Sequence, residues 1–145
     1  PTGWIDEIVE LCNAWNVQSI CGDAGEGAMA NAMLRERLGP HRVLQLRYMA
    51  LSKPIEWNPG ASCYHADRTT LIDNYASFLT HKKAIYPKMT QMGPAIDDIL
   101  NVYEEVTLAG RKVWRHSPTK PDDCLHAQIF GWIAWRVLCQ DLKFY

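Results

Sequence analysis

A helix framed by two short strands constrains this chain more than any other feature. Residues 17–22, Val-Gln-Ser-Ile-Cys-Gly, read as a strand, and Asp23 stands at its C-terminal end. The Gly-rich turn Ala24-Gly25-Glu26-Gly27 follows, and then a helix over 27–38 that is stopped by Gly39-Pro40. Residues 42–48, Arg-Val-Leu-Gln-Leu-Arg-Tyr, alternate polar and apolar and form the second strand. A helix between two strands is a crossover connection, so the strands are expected to be parallel and the fold α/β. In such sheets ligands bind at the C-terminal strand ends, where Asp23 lies. Asp is also a common cap for a following helix, and at this point both roles stay open for Asp23.

The remaining segments add helices and a hairpin. Trp4, Ile5, Ile8, Val9, Cys12 and Trp15 recur at helical spacing and predict a helix over 3–15, with Thr2 as its cap and the acids Asp6 and Glu7 in its first turns. Residues 51–63 hold Pro54, Asn58, Pro59 and Gly60 and read as a loop. A third helix is expected over 67–81, with Leu71, Ile72, Tyr75, Phe78 and Leu79 on one face. Ala84-Ile85-Tyr86-Pro87 reads as a short strand, and Pro94 suits the first position of a helix over 94–101. Residues 104–108 and 111–115 flank Ala109-Gly110 as a hairpin. After the linker at 117–121, a last helix over 121–140 is apolar nearly all round, which means burial. That linker is too short to separate domains, so one domain of 145 residues is expected.

Composition removes several classes of function. The net charge of −1 argues against a strongly basic nucleic-acid coat, but allows a local patch working with metal ions. The five cysteines are odd in number and form no CxxC pair, so neither a disulfide framework nor a zinc ribbon is indicated. Four of the five sit in apolar-periodic stretches and read as small core hydrophobes, and a reducing, cytosolic setting fits best. No apolar run is long enough to cross a membrane, and the first residues do not form a signal peptide. There is no GxxxxGK[ST], GxSxG or HExxH, and Gly22-Asp23-Ala24-Gly25-Glu26-Gly27 is not GxGxxG.

The acids carry the remaining chemistry. Asp122 and Asp123 open the last helix, and two adjacent carboxylates there repel each other. The helix dipole offsets this partly, and a divalent cation would offset it further. Their alternative role is an N-cap followed by a first-turn acid. His126 lies on the same side of the helix and would orient a metal-bound water, contact a phosphate, or serve as a hydrogen-bonded structural residue. Carboxylates from separate segments holding Mg2+ or Mn2+ are the equipment of phosphodiester hydrolysis. Arg68, Lys82, Lys83, Arg111 and Lys112 are candidate phosphate contacts, although basic residues spread this widely also read as a solvated surface.

Taken in order, these segments resemble the nuclease domain of the large terminase subunit of tailed bacteriophages. The resemblance covers nearly the whole chain. It rests on Cys21-Gly22-Asp23-Ala24-Gly25-Glu26-Gly27, on Val43–Tyr48, on Tyr64–Asp73 with Ala84-Ile85-Tyr86-Pro87, and above all on Asp122-Asp123-Cys124-Leu125-His126-Ala127, which fits a DDxxHA element. The resemblance implies an RNase H-like mixed sheet flanked by helices. It implies Asp23 and Asp123 as catalytic metal ligands, Asp122 assisting, and two Mg2+ or Mn2+ ions in the complete domain. It implies endonucleolytic cutting of concatemeric double-stranded viral DNA in the host bacterial cytoplasm, with the portal protein and the small terminase subunit as partners. The family's domain opens with strands that precede this sequence and carry its first catalytic acid, and its ATPase motor is also absent here. The fold is therefore expected to be incomplete at the N-terminus, inactive by itself, and prone to self-association through an open edge of the 17–22 strand. Two rivals remain: another RNase H-like nuclease of resolvase or transposase type, and a non-catalytic DNA-holding or docking module.

Overall fold

Gly39-Pro40 ends the second helix as the sequence reading expects, and the strands on either side of that helix pair in parallel. A computed structural model describes residues 3–143, which excludes the Thr2 cap expected from the sequence. The described chain divides into two compact units, residues 3–67 with 130–143, and residues 68–129.

The first unit is a mixed α/β layer. Helix α1 spans Gly3–Ala14, strand β1 Ile20–Asp23, helix α2 Ala28–Leu38 and strand β2 Val43–Tyr48. β1 and β2 are parallel, in register from Ile20 opposite Val43 to Asp23 opposite Leu46. Ile5 and Cys12 of α1, Leu34 and Leu38 of α2, and Val43 form a buried cluster, with Ile20 packed against it. This explains the apolar spacing of α1. One helix face and one sheet face remove each other from water, at roughly 25 cal/mol per Å² of apolar surface. On the same chain unit, the ring of Tyr48 packs on Phe130, their centroids 5.6 Å apart.

The loop expected over 51–63 contains two strands. β3 (Ile55–Asn58) and β4 (Cys63–Ala66) form an antiparallel hairpin, and β4 also pairs in parallel with β2. The sheet order is β1-β2-β4-β3. The Pro, Asn and Gly that signal a loop are the hairpin turn: the Asn58 side-chain oxygen accepts the Ala61 N–H at 3.0 Å. β4 escaped notice because it lies between two strands and buries Cys63, His65 and Ala66, which erases the alternation of a half-exposed strand.

The second unit holds α3 (Arg68–Thr80), the single turn α4 (Met89–Met92), α5 (Pro94–Leu100), the antiparallel hairpin β5 (Val102–Val106) and β6 (Lys112–His116), and the start of α6 (Asp123–Leu138). The strand expected at 84–87 is irregular chain instead. Ile85 is fully exposed, and no strand lies beside it among the described residues, so the short apolar run has nothing to pair with. Gly93, at φ 47° and ψ −128°, makes the turn into α5 that a residue with a Cβ would resist. The hairpin is present, its first strand two residues earlier than expected, and its turn closes at Gly110 with φ 73°. Among the described residues, no helix is long and apolar enough to cross a membrane.

Candidate active site

Asp23 is the last residue of β1, as the sequence reading requires. Its Oδ2 accepts the Gly25 N–H at 2.9 Å and, more weakly, the Gly27 N–H at 3.4 Å. The Asp23 carbonyl accepts the side-chain amide of the buried Asn31 at 2.6 Å, and Arg47 donates to the Ala24 carbonyl at 2.9 Å. The turn is therefore wound tightly round Asp23. A Cβ on Gly27 would come within 2.6 Å of the Asp23 carbonyl oxygen, and one on Gly25 within 2.9 Å of its carboxylate. The capping role left open in the sequence is visible here through Oδ2. Oδ1 makes no hydrogen bond among the described residues. Beside it, burial and then the charge of Asp23 push the Cys21 thiol up to about 12, which favours the protonated thiol.

In the second unit the DDxxHA element is organised by Arg68. Asp122, just before α6, is largely buried, its side chain 12% exposed. Its Oδ2 accepts Arg68 Nη2 at 2.8 Å and lies 3.0 Å from His126 Nε2. Arg68 Nη1 also donates to the Trp114 carbonyl at 2.7 Å, and Arg68 Nη2 is 3.2 Å from His126 Nε2. A neutral His126 ring can donate Nε2–H to Asp122 or accept from Arg68, but not both at once. Burial is the main cause that lowers the His126 pKa, with Arg68 adding to it and Asp122 opposing. The imidazole is thus kept neutral near pH 7.

The cap of α6 comes from elsewhere in the unit. Buried Asp98 of α5 accepts the Cys124 N–H at 2.9 Å, which satisfies a first-turn donor that Asp122 does not reach with its side chain. Asp122 is therefore not the simple N-cap the sequence allowed. Asp123 is exposed on the first turn, and its carboxylate makes no hydrogen bond or ion pair among the described residues.

Arg68, Trp114, Arg115, His116, Asp122 and His126 line a polar cavity of about 400 Å³. Of the candidate phosphate contacts, only Arg68 lies there. Lys82 and Lys83 follow α3, and Arg111 sits in the hairpin turn. Lys112 is held by Asp73 at 2.8 Å and Glu104 at 2.9 Å, which raises its pKa and takes up its charge. Asp98, Arg115 and His116 were missed by sequence reasoning. Arg115 and His116 close a basic stretch on one arm of the hairpin, a signal that could have found them. Nothing local distinguishes Asp98 from its neighbour Asp97.

The metal reading fits these residues singly. Mg2+ and Mn2+ take oxygen ligands, and Asp123 and Asp23 Oδ1 are uncommitted carboxylate oxygens. Among the described residues, no three His, Cys, Asp or Glu side chains converge as a metal-binding group. No family model, no curated protein and no solved structure matches this chain.

Proposed function

We propose that this chain is the nuclease part of a viral DNA-packaging terminase, built on an RNase H-like fold and cutting phosphodiester bonds with Mg2+ or Mn2+. The observation that supports it best is the division of labour in the DDxxHA element. Arg68 and His126 fix Asp122, which leaves adjacent Asp123 at the helix start with its carboxylate exposed and unpaired. Arg68 also removes the mutual repulsion of the two acids that made this pair awkward in the sequence, since it cancels the charge of Asp122.

In this reading Asp123 is a metal-holding carboxylate of the second unit. Asp23 has the same role in the first, its Oδ2 fixed by the Gly-rich turn and its Oδ1 available. An ion held by these carboxylates would supply Lewis acidity toward a phosphodiester. Asp122 orients the start of α6 through Arg68. Neutral His126 helps to hold Asp122 without adding positive charge. In the parent protein the substrate is concatemeric double-stranded DNA, cut in the host bacterial cytoplasm beside the portal and small terminase subunit. A DNA-holding module is the competing reading, and the Asp23 turn favours it because half of that carboxylate already serves as a cap.

Mn2+-dependent nicking of supercoiled plasmid separates the two. It is measured on this chain and on a version extended upstream, each with Asp123→Asn and Asp23→Asn. Nicking by the extended protein that either substitution abolishes is the expected result. Full activity in Asp123→Asn would sink the assignment. Folded proteins that never nick would favour the holding module.

A further inference from the structure

The cavity before α6 carries more positive charge than its one carboxylate cancels. Asp122 is matched by Arg68 at 2.8 Å, and His126 is held neutral. That leaves Arg115 and His116. Arg115 makes one long contact, 3.5 Å from its Nε to Glu105, so its two Nη groups remain available. His116 Nδ1 lies 3.0 Å from the Ser117 carbonyl oxygen and 2.9 Å from that of Lys120. Carbonyls only accept, so Nδ1 carries the proton and Nε2 is the uncommitted ring nitrogen. The Lys120 carbonyl first, and then the charge of Asp122, raise the His116 pKa, which favours the imidazolium with a second donor at Nε2.

We infer that this cavity seats one phosphodiester group of a nucleic acid, gripped by Arg115 and His116, with Arg68 behind them as the fixed wall. A guanidinium with open Nη groups matches two oxygens of a phosphodiester in a bidentate fork, and a protonated imidazole supplies a third donor. The cavity, about 400 Å³, has room for the group and part of a flanking sugar. Its content argues against a cation as the occupant, since three of its six lining residues are basic in addition to neutral Trp114 and His126. Arg68, the phosphate contact expected from sequence, is held by Asp122 through Nη2 and by the Trp114 carbonyl through Nη1, and its charge is matched by Asp122, so the grip passes to the two residues that follow Trp114 on β6. The choice of a phosphodiester over another oxyanion rests on the nucleic-acid reading above. The grip itself requires no metal and no cleavage.

The test is fluorescence anisotropy with a labelled DNA duplex in EDTA, across a salt series. It compares the wild type, the Arg115→Ala/His116→Asn double variant, and Lys53→Ala/Lys88→Ala as a control that removes exposed positive charge outside the cavity. The double variant is expected to bind roughly tenfold or more weakly. Its log-affinity against log-salt slope should fall by roughly one, for the single phosphate the cavity seats, and by more than in the control. Unchanged affinity and slope, or an equal loss in the control, overturns the inference. Thermal melting of each variant reports folding. Independently of any variant, the His116 imidazole nitrogens of the wild type are followed by NMR. A shift on adding DNA supports the seat. No shift with DNA overturns it, and a shift with inorganic phosphate alone reassigns the cavity to a small free anion. Asp123→Asn that stops nicking but leaves binding intact keeps the two questions apart: loss of the nuclease reading with cavity-dependent binding retained leaves the phosphate seat standing.

Discussion

Arg68 reaches groups far from it in the chain, the Trp114 carbonyl, Asp122 and His126, and so fixes the electrostatics of the start of α6. Two histidines then sit near each other with opposite shifts. Burial lowers His126, while the Lys120 carbonyl raises His116. Relative to the ordinary value of about 6.5, His126 should titrate below and His116 above in an NMR pH series. The reverse order would contradict this geometry. The two have opposite signs in stability. For His126 the unfolded chain takes up the proton first, so its contribution works against folding as pH falls through about 6.5. For His116 the stabilising contribution is present below about 6.5 and fades as pH rises through its higher folded value.

Elements in this chain are ended by contacts with the backbone as much as by propensity. The first turn of α6 depends on Asp98, which is 6% exposed and accepts the Cys124 N–H. Asp98→Ala removes the acceptor and leaves that donor without a partner. The expected cost is about 1–3 kcal/mol in a denaturant titration, and Asp98→Asn should recover part of it. At the other strand-to-helix junction, Gly27 has an ordinary φ of −78°, so its need for glycine is one of space. The Cβ of Gly27→Ala would lie 2.6 Å from the Asp23 carbonyl oxygen, a backbone atom that cannot swing aside. A loss of about 1–3 kcal/mol is expected, with the Asn31 side-chain amide signal shifted in NMR. A neutral Gly27→Ala would show that the turn relaxes easily and that Asp23 is less tightly set than its contacts imply.

For the whole molecule, the sheet order leaves β1 with β2 as its one strand neighbour among the described residues. β1 is thus an edge strand of the described sheet, and an edge strand is a template for another strand. Light scattering over a concentration series should show a mass that rises above that of one chain. A constant monomer mass at every concentration would count against pairing through β1. The overall charge near zero removes long-range repulsion that would otherwise keep copies apart.

The sequence by itself determined the parallel pair around α2, the hairpin β5–β6, the amphipathic α1 and the apolar α6, because each is written in local periodicity and in Gly or Pro stops. It also marked Asp23, Asp122, Asp123 and His126, because acids at strand ends and helix starts have recognisable positions. It misread 51–63 and 84–87 for one shared reason. A strand of four residues is defined by its neighbours and not by its own pattern: β4 found two partners, while Ile85 found none and stayed exposed. Tertiary structure alone decided that Asp98 caps α6, that Arg68 neutralises Asp122, and that Arg115 and His116 share a cavity with them. Those are hydrogen bonds and charge pairs between residues dozens of positions apart, and their strength depends on burial and distance, which no local pattern encodes.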